Sequence, residues 1–294
     1  MWLKHILNSI ISLEQIPASL KLGVIVPIFK DKGRDPLNCC SYRGITLTSV
    51  LSKYLEILIL ERLESLFCER GFPYPSQTAY QKGLSCIDAI FSTQEVILKH
   101  IREGDTPYLC FFDLEKAFDS VEYSTLLSHI FKLGMNGKCW RLIKNWYSDI
   151  SSVVRIGDQH SESFPVERGV KQGSVLSPTL FIAVVDSLLN FLESSGQGLT
   201  ISGLNVGNFA HADDIRTASI SVSAAQMQGK LIDSFSTANC LKLNANKTEL
   251  VQFTSGNLAI CTHEIAAQKV QTQAEAKCLG MWWRYDLSPT KYVE

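Results

Sequence analysis

The sequence has no excess of basic residues. It carries 28 Lys and Arg against 29 Asp and Glu in 294 residues, which gives a formal net charge of −1. A protein that binds nucleic acid through a broad surface usually has a clear basic excess. Any basic surface on this chain must therefore be local, and acidic residues elsewhere must balance it.

Organised cysteines and long apolar runs are also missing. The nine cysteines form no C-x-x-C pair and no Cys/His cluster, and only Cys39 and Cys40 lie close together. Scattered thiols of this kind are typical of a reduced intracellular protein, in the cytoplasm or nucleus, and not of a disulfide scaffold or a zinc site. No run approaches the roughly 20 apolar residues that a membrane helix needs. A membrane partner is therefore not expected.

Hydrophobic patterning predicts strands and helices in irregular order. The predicted strands are 22–29, 108–114, 199–203, 208–219 and 248–253, with a hairpin of SVVRIG and ESFPVERG around DQH. The predicted helices are 49–71, 86–102, one capped by Asp119 or Ser120 and ended by Gly134, one that begins at Ser177 and Pro178, and 223–240. This order is typical of an α+β fold in which helices back a mainly antiparallel sheet.

Two adjacent carboxylates, Asp213 and Asp214, follow a short apolar segment and have no neighbouring Lys. Burying such a pair costs several kcal/mol per ion unless a cation compensates. Asp113 ends a β-rich run 100 residues before Asp213, and if the two strands pair, three carboxylates meet. Such oxygen ligands suit Mg²⁺, and two ions about 4 Å apart can activate a hydroxyl and stabilise a leaving pyrophosphate. The residues alone leave a second interpretation open, in which Asp113 is a strand cap and the Asp pair lies on the surface.

Several segments occur in the order and approximate spacing of the reverse transcriptase palm. They are FFDLEKAFDSV, GVKQGSVLSP, ADD, LNANKTE and CLG. Upstream of them, PIFKDKGR and YRGITLTSVLSKYLEILILERL resemble the fingers of non-LTR enzymes. Over residues 15–285, the sequence therefore resembles the reverse transcriptase domain of non-LTR (LINE-type) retrotransposons, which are transposable elements.

The resemblance implies an RNA-directed DNA polymerase, a nucleotidyltransferase that extends a DNA primer on an RNA template with dNTPs. Two Mg²⁺ ions, with Mn²⁺ as a substitute, would support the phosphoryl transfer. The implied architecture is an N-terminal segment and fingers (1–105), a palm (106–255) and a primer-grip-like hairpin with a truncated end (256–294). Residues 134–168 could return to the fingers. No thumb is expected, because the sequence ends soon after CLG.

The resemblance assigns the metals to Asp113, to Asp213 and Asp214, and to the backbone carbonyl of Leu114. Successive side chains of a strand point to opposite faces. Asp213 is therefore expected to be the stronger ligand of the Asp pair, unless a turn intervenes. Lys247 matches a position that protonates the leaving pyrophosphate, although a surface Lys is an equally good interpretation of the residue itself.

The incoming nucleotide is assigned five residues by the same resemblance. Lys30 and Arg43 match basic fingers residues that grip the triphosphate, where Arg can bind bidentately. Phe118 matches the aromatic residue beneath the sugar, and Gln172 and Gly173 match the loop beneath the nascent base pair. Without the resemblance, these residues would be interpreted as surface charges, a core aromatic and a turn.

The resemblance assigns the primer end to His211, Leu279 and Gly280, although a core residue is an equally good interpretation of Leu279. His211 departs from the family, which usually has Tyr or Phe at this position, and Arg216 lies in a strand that is usually apolar. These departures keep open a decayed fragment that retains only the fold and nucleic-acid binding. A metal-dependent hydrolase is a third hypothesis, for which Glu115 is the nearest candidate base.

Overall fold

The computed structural model describes residues 2–30, 33–254, 256 and 258–287. The chain forms two compact units, and each combines segments that are distant in the sequence. Unit 1 contains Met1–Phe72 and Phe118–Val184, and unit 2 contains Pro73–Ala117 and Val185–Glu294. The predicted division into fingers, palm and end hairpin, with boundaries at 105 and 255, stays a prediction.

The helices of the described ranges follow the predicted order. They are α1 (Trp2–Leu13), α2 (Ala18–Lys21), α3 (Val50–Cys68), α4 (Cys86–Arg102), α5 (Ala117–Ser120), α6 (Tyr123–Lys132), α7 (Gly137–Trp146), α8 (Ser177–Ser194) and α9 (Val222–Ala238), with single 3₁₀ turns at Cys39–Ser41 and Ala245–Lys247. Among them, none combines the length and the apolar character that crossing a bilayer requires.

Strands fill most of the remaining described chain. They are β1 (Gly23–Phe29), β2 (Tyr42–Leu47), β3 (Tyr108–Asp113), β4 (Ser151–Ile156), β5 (Gln159–His160), β6 (Phe164–Pro165), β7 (Thr200–Ile201), β8 (Leu204–Asn205), β9 (Asn208–His211), β10 (Asp214–Ser219), β11 (Glu249–Gln252), β12 (Thr262–Ile265), β13 (Gln268–Gln273), β14 (Glu275–Cys278) and β15 (Met281–Arg284). The predicted strands 22–29, 108–114 and 248–253 are confirmed to within two residues at each end.

Local capping explains where the long helices begin. Ser49 accepts a hydrogen bond from the amide of Ser52 at the start of α3, and Ser85 and Asp88 form a capping box at the start of α4. Each cap satisfies amides that have no partner inside the helix. The predicted helices 49–71 and 86–102 are therefore confirmed.

Four local predictions were wrong. The strand expected over 208–219 is two strands, because β9 ends at His211 and β10 begins at Asp214. The helix expected to be capped by Asp119 or Ser120 is divided, because α5 ends at Ser120 and α6 begins after Glu122. The start of α8 is capped by Ser174 and not by Ser177. The Ser174 hydroxyl accepts hydrogen bonds from the amides of Leu176 and Ser177. The hairpin after β4 turns at 157–158, so that two residues of DQH belong to β5.

Unit 1 is built around a mixed sheet. Its strand order is β2-β1-β4-β5, with β6 also paired to β4. β1 runs antiparallel to β2 and parallel to β4. The β1–β2 hairpin carries the YRGITL segment, and Thr46 of β2 donates its amide to the carbonyl of Gln172 at 2.7 Å. This bond ties the loop before α8 to the sheet.

Unit 2 contains the larger sheet, with the strand order β12-β13-β11-β3-β10-β9. Its pairs are antiparallel except β11 with β13, so the predicted mainly antiparallel sheet is confirmed. Leu109 and Phe111 of the central strand β3 share a buried core with Ile97 of α4 and Trp283 of β15. Burial of apolar surface in such a core is the main contribution to the stability of a fold. It fixes β3 and β10 in the interior.

Candidate active site

Asp113 and Asp214 lie opposite each other at one end of the central strands. Asp113 is the last residue of β3, Asp214 is the first residue of β10, and the two are direct partners in the antiparallel register. Directly opposed residues of antiparallel strands project from the same face of the sheet. β3 and β10 therefore pair, as the predicted convergence of the carboxylates requires.

A tight turn places Asp213 beside this pair. His211 of β9 pairs with Asp214 of β10, which leaves Ala212 and Asp213 as a two-residue turn. Ala212 has φ 57°, a left-handed conformation that is uncommon for a residue with a Cβ atom. The alternation of a strand therefore does not continue from Asp214 to Asp213, because a turn intervenes.

The three carboxylates carry like charges that repel one another. The pKa of Asp214 is raised to about 6, first by burial and then by the negative charges of Asp213 and Asp113. Arg216 and Lys247 act in the opposite direction with a smaller effect. A group of acidic side chains whose charged state is disfavoured in this way gains stability from a bound cation.

Lys247 pairs with Asp113. Its Nζ lies 2.9 Å from Oδ2 of Asp113, and Nδ2 of Asn244 donates to the same oxygen at 3.2 Å. The amide of Asn244 also donates to the Asp113 carbonyl at 2.8 Å. These contacts join the LNANK segment to the end of β3, and Asn244 is a residue that the sequence analysis did not select. The predicted action of Lys247 on a leaving group stays a prediction.

Leu114 continues the chain beyond Asp113. It is buried and forms an isolated antiparallel bridge with Leu243. The neighbouring Glu115 donates its amide to the carbonyl of Lys242 at 2.8 Å, and its carboxylate pairs with the Lys242 ammonium at 3.0 Å. The backbone of Leu114 is thereby fixed next to the carboxylates. Its predicted role as a metal ligand stays a prediction.

His211 is held on both ring nitrogens. Nδ1 lies 3.0 Å from the hydroxyl of Thr78, and Nε2 lies 3.2 Å from the thiol of Cys86 at the start of α4. Burial, and next the positive charge of Arg216, lowers the pKa of the imidazole. The side chain is therefore neutral at pH 7, and its orientation is set by two hydrogen bonds.

Arg216 is fully buried in β10. Its Nη1 donates to the carbonyl of Ala89 in α4 at 3.2 Å, and its guanidinium lies 5.8 Å from the ring centroid of Phe209. Nε and Nη2 have no hydrogen-bond partner within the described ranges. A charge this deeply buried is unusual, and it lies two residues from Asp214. Arg216 is a departure from the family's usual apolar strand, and its burial was not predicted from the sequence.

The hairpin of β14 and β15 carries the predicted primer-grip residues. Leu279 and Gly280 form its turn, with φ of 52° and 81°. A cavity of about 390 Å³ is lined by both Asp113 and Asp214 and by Lys247, Lys277, Leu279 and Trp282. Leu279 and the two carboxylates therefore line one cavity. Their predicted roles with a primer stay predictions.

In unit 1, the predicted nucleotide residues lie on the β1–β2 hairpin, in α5 and on the loop before α8. Lys30 follows β1, and its Nζ donates to the Cys40 carbonyl at 3.2 Å, while Arg43 lies in β2 opposite Ile28. Phe118 stacks on Phe181 with ring centroids 4.3 Å apart.

The loop before α8 leaves no room for a side chain at Gly173. This residue has φ 117°, and an added Cβ would lie 2.6 Å from the Thr46 carbonyl oxygen. Its neighbour Gln172 donates Nε2 to Oδ1 of Asp119 at 2.9 Å. The buried carboxylate of Glu56 accepts the hydroxyl of Ser174 at 2.9 Å. The lack of space therefore requires glycine at position 173. Hydrogen bonds to Asp119 and to Glu56 also hold the loop in place.

A second group of possible metal ligands lies elsewhere in unit 2. Ligand atoms of His100, Glu103 and Asp105 all lie within 4.8 Å of one another. Nδ1 of His100 already pairs with Asp105 at 2.7 Å, and Nε2 bonds the Thr200 carbonyl at 3.0 Å. Glu103 pairs with Lys99. These contacts explain the group as an ordinary cluster of hydrogen-bonded and ion-paired side chains at the end of α4.

Comparison with known proteins gives the same family as the motifs. The family model described as reverse transcriptase (RNA-dependent DNA polymerase) matches residues 29–283. The chain is 30% identical over 181 residues to a probable RNA-directed DNA polymerase from transposon BS of Drosophila melanogaster, covering 62% of this chain and 20% of the relative. It is 29% identical over 283 residues to the RNA-directed DNA polymerase from mobile element jockey of Drosophila funebris, covering 90% of this chain and 30% of the relative.

The same pattern holds for a third relative and for solved structures. A Pol polyprotein from the type-1 retrotransposable element R2 of Popillia japonica is 33% identical over 190 residues, with 63% of this chain and 26% of the relative covered. The chain thus spans under a third of the length of these curated relatives. Apo telomerase from Candida tropicalis, truncated from its C-terminal domain, shares the fold with a TM-score of 0.63 at 14% identity, over 96% of this chain and 58% of that one. The chain therefore belongs to the reverse transcriptase (RNA-dependent DNA polymerase) family, and the resemblance to its non-LTR retrotransposon members is confirmed.

Proposed function

We propose that this chain is the fingers and palm of an RNA-directed DNA polymerase, which extends a DNA primer on an RNA template with dNTPs. The observation that carries the proposal is the opposition of Asp113 and Asp214, with Asp213 in the adjoining turn. These are the family's motif positions, and Asp113 and Asp214 line a cavity of about 390 Å³.

The donor set fits a pair of hard divalent cations. Asp113, Asp213 and Asp214 supply carboxylate oxygens, the ligands that Mg²⁺ prefers together with substrate phosphates. Burial, and next the negative charges of Asp213 and Asp113, raise the pKa of Asp214 to about 6, and a bound cation would reverse this shift. When bound, two such ions supply Lewis acidity for attack by the primer hydroxyl and for departure of pyrophosphate. We assign this role to Mg²⁺, with Mn²⁺ as a substitute.

The remaining residues bind and orient the substrates. Lys30 and Arg43 offer cationic donors to the triphosphate, and Phe118 offers bulk against a sugar 2′-hydroxyl. Gln172 and Gly173 lie in a loop that is held by hydrogen bonds and would contact the base pair. The loop adds no charge to the site, and its role is to limit the orientations of the base pair. Catalysis of phosphoryl transfer is mostly positioning and electrostatics, so this division of roles is sufficient.

Primer extension by the purified chain tests the proposal. A labelled DNA primer annealed to an RNA template is incubated with four dNTPs and Mg²⁺, and product length is measured with and without EDTA. Asp213→Asn is the matched control, because it keeps the size of the side chain and removes its charge. Extension that requires both Mg²⁺ and Asp213 supports the proposal. Absence of extension at every Mg²⁺ and Mn²⁺ concentration would overturn it.

One observation favours a second candidate function, that of a nucleic-acid-binding relic. Arg216 is fully buried two residues after Asp214 in β10 and leaves two of its nitrogens without partners in the described part of the chain. A chain that retained only binding would shift a labelled RNA–DNA hybrid in a gel without extending it. Arg216→Leu would then leave both the shift and the lack of extension unchanged.

A further inference from the structure

The loop between α3 and α4 runs along the edge of the catalytic sheet. Gln77 forms a parallel bridge with Ala210 of β9. The amide of Thr78 donates to the Ala210 carbonyl at 3.0 Å, and the amide of Ala210 donates to the Ser76 carbonyl at 2.9 Å. The loop thereby covers the free edge of β9 directly before the Ala212–Asp213 turn.

The side chain of Gln77 reaches from this loop to the turn. Gln77 has no exposed surface. Its Oε1 accepts the amide of Ala79 at 3.0 Å, which shapes the loop, and the amide of Ala212 at 3.0 Å. One carbonyl oxygen therefore joins two segments that are more than 130 residues apart in the sequence.

The turn depends on this contact for two reasons. Ala212 is 6% exposed, so its amide would be a buried donor without a partner if Gln77 were absent. Ala212 also has φ 57°, which most residues adopt only when the surrounding structure holds them there. The preferred two-residue hairpin turns contain Gly or Asn at such positions, and this turn has neither.

We propose that Gln77 is a positioning residue that fixes the Ala212–Asp213 turn and thereby the Asp213 carboxylate for divalent cations. The inference rests on the proposed function for the role of Asp213. It goes beyond that function because Gln77 touches no substrate and acts only through the Ala212 amide. The competing view is that Gln77 merely anchors the loop of residues 74–82.

The test uses Gln77→Met, which keeps the length of the side chain and removes the acceptor. Hydrogen exchange of the metal-free protein is measured on peptides that cover residues 209–215 and residues 74–82. Removing the acceptor of a buried donor is expected to speed exchange at the Ala212 amide by about tenfold or more. The Kd for Mn²⁺, measured by electron paramagnetic resonance without any substrate, is expected to rise by about five- to tenfold.

The double variant Gln77→Met/Ala212→Gly separates the two views. Glycine adopts positive φ without strain, so it restores the turn without restoring the loop. Recovery of the Mn²⁺ Kd to within about twofold of wild type supports positioning. Unchanged exchange at 209–215 in Gln77→Met, or a Kd that Ala212→Gly does not recover, overturns the proposal.

The result stays interpretable if a variant does not fold or if the wild-type protein has no activity. If Gln77→Met alone does not fold, the double variant decides. A folded double variant with a recovered Kd supports the proposal, and one that also fails to fold assigns Gln77 to the general core and overturns it. Failure of the proposed function is distinguishable, because wild-type protein would then show no primer extension while exchange and Mn²⁺ binding remain measurable.

Discussion

Asp113 and Asp214 are direct partners in the antiparallel register of β3 and β10. Opposed residues on one face of a sheet have Cβ atoms about 4.5–5.5 Å apart, and like charges in that position destabilise the sheet. Lys247 compensates Asp113 from an exposed position, with 62% of its side chain accessible, and such exposed pairs contribute little. The folded chain therefore keeps a repulsive arrangement that a bound cation would relieve.

Removing the charge of Asp213, in the turn beside this pair, should abolish catalysis without harming the fold. For Asp213→Asn we expect primer extension to fall by about a thousandfold, the scale of losing a group that acts in the transition state. The free energy of unfolding without metal should stay the same or rise, because repulsion is removed. Asp214→Asn should cost less activity, and urea denaturation compares both variants with wild type. A wild-type rate of extension in Asp213→Asn would refute the metal assignment.

The stability of the metal-free protein should fall as pH rises from 4 to 6. Asp214 has a folded pKa of about 6, above the value of about 3.9 for an unfolded Asp. The folded state therefore binds more protons than the unfolded state in this window, so the free energy of unfolding decreases with pH. Asp186, whose pKa is also raised to about 6, adds to the same slope.

Two controls assign this slope. Asp214→Asn should remove part of it and leave the part that belongs to Asp186 and to Glu56 and Glu249, whose pKa values burial also raises. Saturating Mg²⁺ should raise stability above pH 6 in wild type, because the cation favours the charged carboxylate, and should do so far less in Asp214→Asn. An identical pH profile for wild type and Asp214→Asn would show that Asp214 ionises normally.

His211→Tyr should raise the rate of extension if an aromatic shelf is what this chain lacks. The family usually has Tyr or Phe at this position, whereas His211 is fixed by Thr78 and Cys86. His211→Phe is the matched control, since it supplies the ring without a hydroxyl. Steady-state kinetics with varied primer concentration measures the effect. Equal or lower activity in both variants would mean that His211 is accommodated and that any deficit lies elsewhere.

Gly173→Ala should destabilise unit 1 and weaken dNTP use. The added Cβ would lie 2.6 Å from the Thr46 carbonyl oxygen, so the loop before α8 must move. Gly157→Ala is the control, because Gly157 has φ 59° with nothing within 4 Å of the added atom. It carries only the conformational cost of about 1 kcal/mol. Thermal denaturation should therefore show a clearly larger loss for Gly173→Ala, and equal losses would contradict a steric role.

The sequence predicts those elements whose signals are local. Helix α4 begins at the residue after its Ser85 cap and ends at Arg102 as predicted, because a capping box and an amphipathic pattern define it without help from the rest of the chain. β3 is equally clear, since its run of aromatic and other apolar residues ends at Asp113. The family motifs add what periodicity does not contain, namely that Asp113 and Asp213 belong together.

Features that depend on distant residues were not predictable in this way. The Ala212–Asp213 turn contains neither Gly nor Asn, so no local signal marks it. It is held by the side chain of Gln77, which lies 135 residues away in the sequence. Arg216 likewise gives no local sign of burial, because a charged residue in a strand normally faces solvent.

Phe118→Val should let the protein insert ribonucleotides far more readily. Phe118 follows Asp113 by five residues and lies in the short helix α5. Phe has no hydroxyl with which to bind a 2′ oxygen, so exclusion by this residue would act through bulk alone. A hydrogen-bonding pocket rejects an added hydroxyl poorly, and a steric wall is the simpler device.

The expected change is a rise of about tenfold or more in the ratio of kcat/KM for a ribonucleotide to that for the matching deoxynucleotide. Single-nucleotide extension with each substrate measures this ratio. Phe118 stacks on Phe181 with ring centroids 4.3 Å apart, so Phe118→Val also loses packing. Phe181→Leu is the matched control, because it removes the stacking partner and leaves Phe118 in place. If both variants lower the two kcat/KM values equally, with the ratio unchanged, Phe118 is a core side chain and does not select the sugar.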